Sequence, residues 1–95
     1  MPAYVVTQIE IHDPTHYEDY KKISSSTIEK FGGRFLVRGG KVETLEGSWS
    51  PTRFVVVEFP TAQRAREWWS SAEYAPGKKL RQEIASTEMI LVEGI

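Results

Sequence analysis

The sequence predicts an α+β fold in the order β-α-β-β-α-β, and two observations lead to that prediction. Segments rich in β-branched and aromatic residues take turns with segments of helical periodicity. Pro or Gly stands at most of the boundaries between them. The length of 95 residues suffices for one domain only, so we expect a single domain over residues 1–95.

The first strand and the first helix are predicted by composition and by a capping pattern. Residues Ala3 to His12 are rich in Val, Ile, Tyr and Thr, which favour strands. Asp13-Pro14 predicts a helix start, because Asp accepts hydrogen bonds from free amides and Pro suits the first helical position. The helix runs to Phe31 and ends at Gly32. Its inward stripe consists of Tyr17, Tyr20, Ser24, Ile28 and Phe31.

The second and third strands are predicted as neighbours, the first of them irregular. Arg34 to Arg38 is a short strand, and Gly39-Gly40 predicts a bulge or kink. Lys41 to Leu45 could resume this strand before a turn from Glu46 to Pro51. Arg53 to Phe59 is the clearest strand in the chain, because its central positions are an unbroken run of Phe and Val.

The rest of the chain predicts helical segments and a last strand. Pro60-Thr61 opens one helix, and Tyr74-Ala75-Pro76 begins another helical segment that ends near Ala85. Glu88 to Glu93 is the last strand. The whole order is the ferredoxin-like arrangement, a four-stranded antiparallel sheet with both helices on one face. The predicted inward residues are Ala65, Trp68, Trp69 and Ala72 in the first segment and Leu80 and Ile84 in the second.

Alternation along the strands gives the sheet one helix-facing side and one open face. On the third strand, Val55, Val57 and Phe59 share the helix-facing side. The open face keeps a mixed apolar surface, whereas a solvated face would carry polar residues at alternate positions. We therefore predict a homodimer packed sheet against sheet, with a monomer of half-apolar face as the alternative. The open face carries Tyr4, Val6, Leu36, Phe54 and Val56.

Composition disfavours several classes of function. The net charge is −1 and the 12 Lys and Arg residues are scattered, which argues against nucleic-acid binding. The chain has no cysteine, and hence no disulfide, thiolate metal site or Cys nucleophile. No apolar run has the roughly 20 residues of a membrane span, so we expect a cytoplasmic protein without a membrane partner. We also expect no cofactor.

A string of short motifs covers nearly the whole chain. The motifs are Asp13-Pro14 with Tyr17 and Tyr20, Gly32-Gly33-Arg34-Phe35, Arg38-Gly39-Gly40, Glu46-Gly47, Arg53, Val57-Glu58-Phe59, Trp69, Ser71-Ala72-Glu73-Tyr74 and Val92-Glu93-Gly94. In this order they resemble domain-of-unknown-function family 1330, small proteins of the dimeric α/β-barrel superfamily. That superfamily includes cofactor-free monooxygenases, lactone isomerases and haem-binding enzymes. The resemblance therefore implies, by analogy of fold, a ligand site between the sheet and the helices.

Four aromatic residues on the predicted helices face the sheet. They are Tyr17, Tyr20, Trp69 and Tyr74. Tyr and Trp carry polar atoms that need partners when they are buried, so they can line a ligand site as well as a core. Core packing is one interpretation, and an aromatic-lined pocket for a small molecule is the functional one.

Charged residues supply the candidate catalytic groups. His12 lies where the first strand meets the first helix, where it could act as a general base or only bind backbone. His12 and His16 share no helix face, so we predict no metal site. Arg38 could grip an acidic ligand while Glu58 tunes it, or both could belong to a salt-bridge network that fixes the dimer. That network on the open face would consist of Glu10, Arg34, Arg38 and Glu58.

The predicted function is binding of a small organic ligand between the sheet and the helices. In the catalytic interpretation, His12, Arg38 and Glu58 carry cofactor-free monooxygenase or isomerase chemistry on an aromatic or lactone-like substrate. The alternative is a non-catalytic ligand sensor or a dimeric assembly module. The sequence alone does not decide whether the chain is an enzyme.

Overall fold

Three helices lie over one face of a four-stranded antiparallel sheet in the computed structural model, which describes all 95 residues. The elements are β1 (Ala3–Ile11), α1 (Pro14–Lys30), β2 (Arg34–Arg38), β3 (Arg53–Phe59), α2 (Ala62–Trp69), α3 (Ala75–Ile84) and β4 (Ala85–Glu93). The strands are ordered β2-β3-β1-β4 across the sheet. The predicted ferredoxin-like arrangement is therefore confirmed, with its second helical stretch divided into α2 and α3.

The first two helices begin where the sequence predicts, because side-chain oxygens cap them. Asp13 accepts a hydrogen bond from the His16 amide at 3.1 Å, and the proline that follows Asp13 opens α1. Thr61 caps α2 in the same way through the amide of Arg64. Gly32 follows the end of α1 with a φ of +82°. None of the helices is both long and apolar enough to cross a membrane.

The last strand begins earlier than predicted. It starts at Ala85 rather than Glu88, because the chain pairs with β1 from the end of α3 onward, with Ala85 opposite Ile11. Thr87 consequently belongs to the strand and lies opposite Ile9, on the helix-facing side. β4 is an edge strand of the sheet.

The helix-facing side of the sheet forms the core, as alternation predicts. Val55, Val57 and Phe59 of β3 are buried there, together with Val5 and Ile9 of β1. The largest fully buried side chains are Trp68, Tyr74 and Phe59. The open face presents the partly exposed side chains of Tyr4, Val6, Leu36, Phe54 and Val56.

β2 contains a bulge at a position that the sequence does not predict. The pairing of β2 with β3 shifts at Leu36, which is the extra residue. The bulge thus falls inside the strand and not at Gly39-Gly40. Beyond it, Arg38 pairs with Val55, whose side chain faces the helices. The predicted placement of Arg38 on the open face is therefore wrong.

The segment Lys41–Leu45 does not resume the strand. Gly39 adopts a φ of +71°, and its amide donates a hydrogen bond to the carbonyl of Phe54 at 2.9 Å. The chain then leaves the sheet, and no further strand forms before β3. In this loop Trp49 contacts the open face, with its ring 5.9 Å from that of Phe54 and its Nε1 donating to Gln8 Oε1 at 2.6 Å.

We expect Gly33→Ala to lower the free energy of unfolding by about 1–3 kcal/mol, because the added methyl group overpacks the core. Its Cβ would lie 2.8 Å from both Ile28 Cγ2 and Phe59 Cε1. Urea unfolding followed by circular dichroism measures the change. Gly40→Ala is the matched control, since nothing lies within 4 Å of a Cβ at that position. Equal losses in the two variants would contradict the close packing of Gly33.

Candidate functional site

A large cavity lies between the helices and the sheet on the β4 side. Its volume is about 650 Å³. Ala65 and Trp69 of α2, Arg81 of α3, and Thr87 and Met89 of β4 are among the residues that line it. The volume falls within the range of small-molecule sites in proteins, roughly 300–1,000 Å³.

A second and much smaller cavity lies between α1 and the sheet. Its volume is about 30 Å³, which is room for about one or two water molecules. Tyr17, Tyr20 and Arg38 contribute to its lining, and Val5 and Met89 line both cavities. The two cavities are therefore neighbours, and only the larger one has room for an organic ligand.

A chain of hydrogen-bonded side chains links α1 to α3 through buried space. Tyr20 OH and Tyr74 OH are 2.7 Å apart, and Arg81 Nε donates to Tyr74 OH at 3.4 Å. All three residues are buried. Burial raises the pKa of the Tyr20 phenol well above its usual value, and the neighbouring Tyr74 adds to the rise. Tyr20 is therefore a neutral hydrogen-bonding group and not a phenolate base.

Arg81 is the site residue that the sequence analysis missed. It is only 5 % exposed and lines the larger cavity, and none of the ion pairs in the chain involves it. The signal that could have found it is helical spacing. Tyr74 directly precedes α3, and the buried residues within the helix follow it at intervals of three or four positions. They are Gly77, Arg81 and Ile84.

The predicted pocket aromatics divide between the two cavities and the core. Tyr17 and Tyr20 line the smaller cavity, whereas Tyr74 is completely buried and lines neither. Trp69 lines the larger cavity but is 46 % exposed. The buried residues of α2 are Ala62, Ala65 and Trp68. Trp69 therefore lies beside the buried face of α2 and not on it. Ala72, which the sequence also predicts to face inward, is exposed and lies beyond the end of α2.

The two histidines lie near the junction of β1 and α1 and line neither cavity. His12 is exposed, with its Nε2 2.8 Å from Ser86 Oγ. The amide and ring of His16 lower the pKa of Asp13, and the hydrogen bond to Asp13 raises the pKa of His16. No three His, Cys, Asp or Glu side chains cluster so that they could hold a metal ion. His16 thus belongs to the cap of α1, and a catalytic role of His12 stays a prediction.

The charge network predicted on the open face reduces to one ion pair. Arg34 Nε donates to Glu58 Oε1 at 2.8 Å. Arg38 turns toward α1 instead, where its Nη2 donates to Ser25 Oγ at 2.7 Å. Glu10 takes part in no ion pair. Because Arg38 and Glu58 lie on opposite faces of the sheet, their predicted joint action on one ligand does not fit this geometry.

The fold and the cavity define a ferredoxin-like α+β protein with room for a ligand between its sheet and its helices. The model of the family described as Domain of unknown function (DUF1330) matches residues 2–95, so the chain belongs to that family. The resemblance carried by the sequence motifs is thereby confirmed. No curated protein matches the chain.

Solved structures share this fold at low sequence identity. A protein of unknown function from Rhodopseudomonas palustris is 18% identical with a TM-score of 0.78, over 99% of this chain and 82% of that chain. A dimeric ferredoxin-like protein of unknown function from Jannaschia sp. CCS1 is 7% identical with a TM-score of 0.71, over 99% and 100%. SnoaB, a cofactor-independent oxygenase from Streptomyces nogalater, is 13% identical with a TM-score of 0.67, over 99% and 93%. At these identities the likeness shows the fold alone.

We expect Tyr74→Phe to destabilise the protein more than Tyr20→Phe, by about 2–3 against about 1 kcal/mol. The loss of the Tyr74 hydroxyl leaves both Tyr20 OH and Arg81 Nε without their partner, whereas Tyr20→Phe leaves the Arg81 bond in place. Chemical unfolding of the two variants measures the difference. Equal losses would contradict the central place of Tyr74 in this hydrogen-bonded chain.

Proposed function

We propose that this protein binds a small organic ligand in the larger cavity between α2, α3 and β4. The observation that carries the proposal is the cavity itself, about 650 Å³ on the helix-facing side of the sheet. Its walls suit an organic body, because aliphatic side chains and the Trp69 ring supply apolar contact. The aliphatic side chains on the helix-facing side of the lining are Val5, Ala65, Met89 and Leu91.

Binding without catalysis is the function that this geometry supports best. No histidine lines the larger cavity, and the one acidic residue in its lining is Glu88. Glu88 lies opposite Gln8, and alternation directs both side chains to the open face of the sheet. The cavity thus provides an organic ligand with apolar contacts and polar groups but has no evident general base in its lining. This arrangement suits a ligand sensor.

Cofactor-independent oxygenase or isomerase chemistry on an aromatic or lactone-like molecule is the second candidate. The fold that the chain shares with SnoaB favours it, as an analogy of fold. The substrate would occupy the larger cavity. None of His12, Arg38 and Glu58 lines that cavity, so their catalytic roles stay predictions that would need a substrate bound at another place.

We also propose that the protein is a homodimer in which the open faces of two sheets pack together. The half-buried apolar residues of the central strands, such as Val6 and Val56, support this arrangement. A two-fold axis would let the same face of each copy cover the other, so no second type of partner is needed. The Jannaschia protein of the same fold is described as dimeric.

We expect small aromatic and aliphatic molecules from a fragment library to bind the wild-type chain, and Gln82→Trp to weaken the best of them at least about tenfold. Gln82 is exposed on α3 and lines the cavity, so a bulky ring there narrows the space without disturbing the core. NMR titration measures the affinities. Lys79→Trp, on the same helix but outside the lining, is the matched control. Fragments that bind both variants equally would place the binding site elsewhere.

We expect Val56→Glu to convert the dimer into a monomer, because an unpaired charge buried in an interface costs several kcal/mol. Sedimentation equilibrium measures the mass against the 10.8 kDa of one chain. Gln63→Glu, which adds the same group at an exposed position of α2, should remain dimeric. A wild-type chain that sediments as a monomer would contradict the proposed assembly.

A further inference from the structure

Arg81 has no counter-charge within the fold. It is 5 % exposed, and no carboxylate of the chain forms an ion pair with it. Its Nε hydrogen bond to the Tyr74 hydroxyl is long, at 3.4 Å. Buried charges in proteins are paired as a rule, since an unpaired one loses its hydration without compensation. The partner of Arg81 must therefore come from outside the chain or from solvent in the cavity.

The larger cavity is the place from which such a partner can reach Arg81. Arg81 lines it, and so does Arg66, which is exposed and takes part in no ion pair. Glu88, the acidic residue of the lining, has a strand position that directs its side chain to the open face. The charge presented to an occupant by these side chains is therefore positive, which favours an anion.

A second buried polar group in the same wall lacks a partner. Thr87 lines the cavity, and its Oγ1 is buried without any hydrogen bond. Nearly all buried polar side-chain atoms in proteins have a partner. An occupant that carries acceptor oxygens would satisfy the Arg81 guanidinium and, after a χ1 rotation, the Thr87 hydroxyl as well.

We propose that the ligand of the larger cavity is an organic monocarboxylate, and that Arg81 is its counter-ion. A guanidinium matches a carboxylate through two parallel N–H···O bonds. The apolar walls and the Trp69 ring would hold the rest of the molecule. A more highly charged phosphate fits less well, because Trp69 and Ser70 bring the negative C-terminal end of α2 to the same cavity. The inference rests on the proposed ligand-binding function.

The test compares carboxylates with their own neutral amides. Calorimetric titration of the wild-type chain with 3-phenylpropionate and octanoate, and with the two corresponding primary amides, measures the preference without any mutation. We expect at least one acid to bind about tenfold or more tightly than its amide, as a charge-assisted bidentate contact requires. Thermal shift of the same four mixtures provides an independent measurement.

Variants then assign the preference to one arginine. Arg81→Met removes the charge and keeps an apolar side chain of similar length, so the carboxylate should lose about tenfold or more in affinity while the amide keeps its own. Arg66→Met is the matched control and should change the acid affinity by less than about threefold. Should Arg81→Met fail to fold, Arg81→Lys replaces it: the charge remains but the forked geometry is lost, so acid binding should weaken.

Three results would overturn the inference. Equal affinities of acid and amide in the wild-type chain would contradict the inferred carboxylate ligand, while the proposed ligand-binding function would remain supported. An acid preference that is undiminished in Arg81→Met, or in Arg81→Lys where Arg81→Met does not fold, would assign the anion to another group. A wild-type chain that binds neither acids nor amides would remove the ligand-binding function together with the inference.

Discussion

The position of the helical layer depends on the contacts of Trp68. Its ring lies 5.5 Å from that of Phe59 on β3 and 4.2 Å from that of Tyr74, and its Nε1 donates to Thr27 Oγ1 on α1 at 3.1 Å. One buried side chain thus joins α2 to the sheet, to α1 and to the residue that precedes α3. A buried indole needs both apolar contact and a hydrogen-bond acceptor, and this arrangement supplies the two together. The larger cavity lies beside this cluster, on the β4 side.

The candidate site and the core therefore share a residue. The Tyr74 ring packs on Trp68, while its hydroxyl accepts a hydrogen bond from Arg81 Nε and is hydrogen-bonded to Tyr20 OH. Toward β4 no further aromatic ring packs against this cluster, and the space is lined by small residues such as Ala65 and Thr87 and by the half-exposed Trp69. The large aromatic residues thus close the layer on one side and leave it open on the other. Arg81 thus contacts the aromatic core through Tyr74 and also lines the larger cavity.

The sequence predicts the elements well where one local signal determines them. Capping residues set the helix starts, and alternation separates the two faces of β1 and β3. The bulge at Leu36 could not be predicted, because Phe35, Leu36 and Val37 are all apolar and either register buries an apolar side chain. That single ambiguity placed Arg38 on the wrong face. The same ambiguity led to the predicted joint action of Arg38 and Glu58, whereas Glu58 forms its ion pair with Arg34 at the other end of β2.

Of the four predicted pocket aromatics only Trp69 lines the larger cavity, and Arg81 escaped prediction because its residue type and its helical spacing disagree. Its spacing matches that of the buried Tyr74, Gly77 and Ile84, but a charged residue is expected at the surface. The physical chemistry of burial gives this disagreement its meaning. A buried ionic group adds little to stability, and an apolar residue of similar volume in its place is often neutral or stabilising. Stability of the fold thus does not explain a guanidinium at this position, whereas the binding of an anion in the adjacent cavity would explain it.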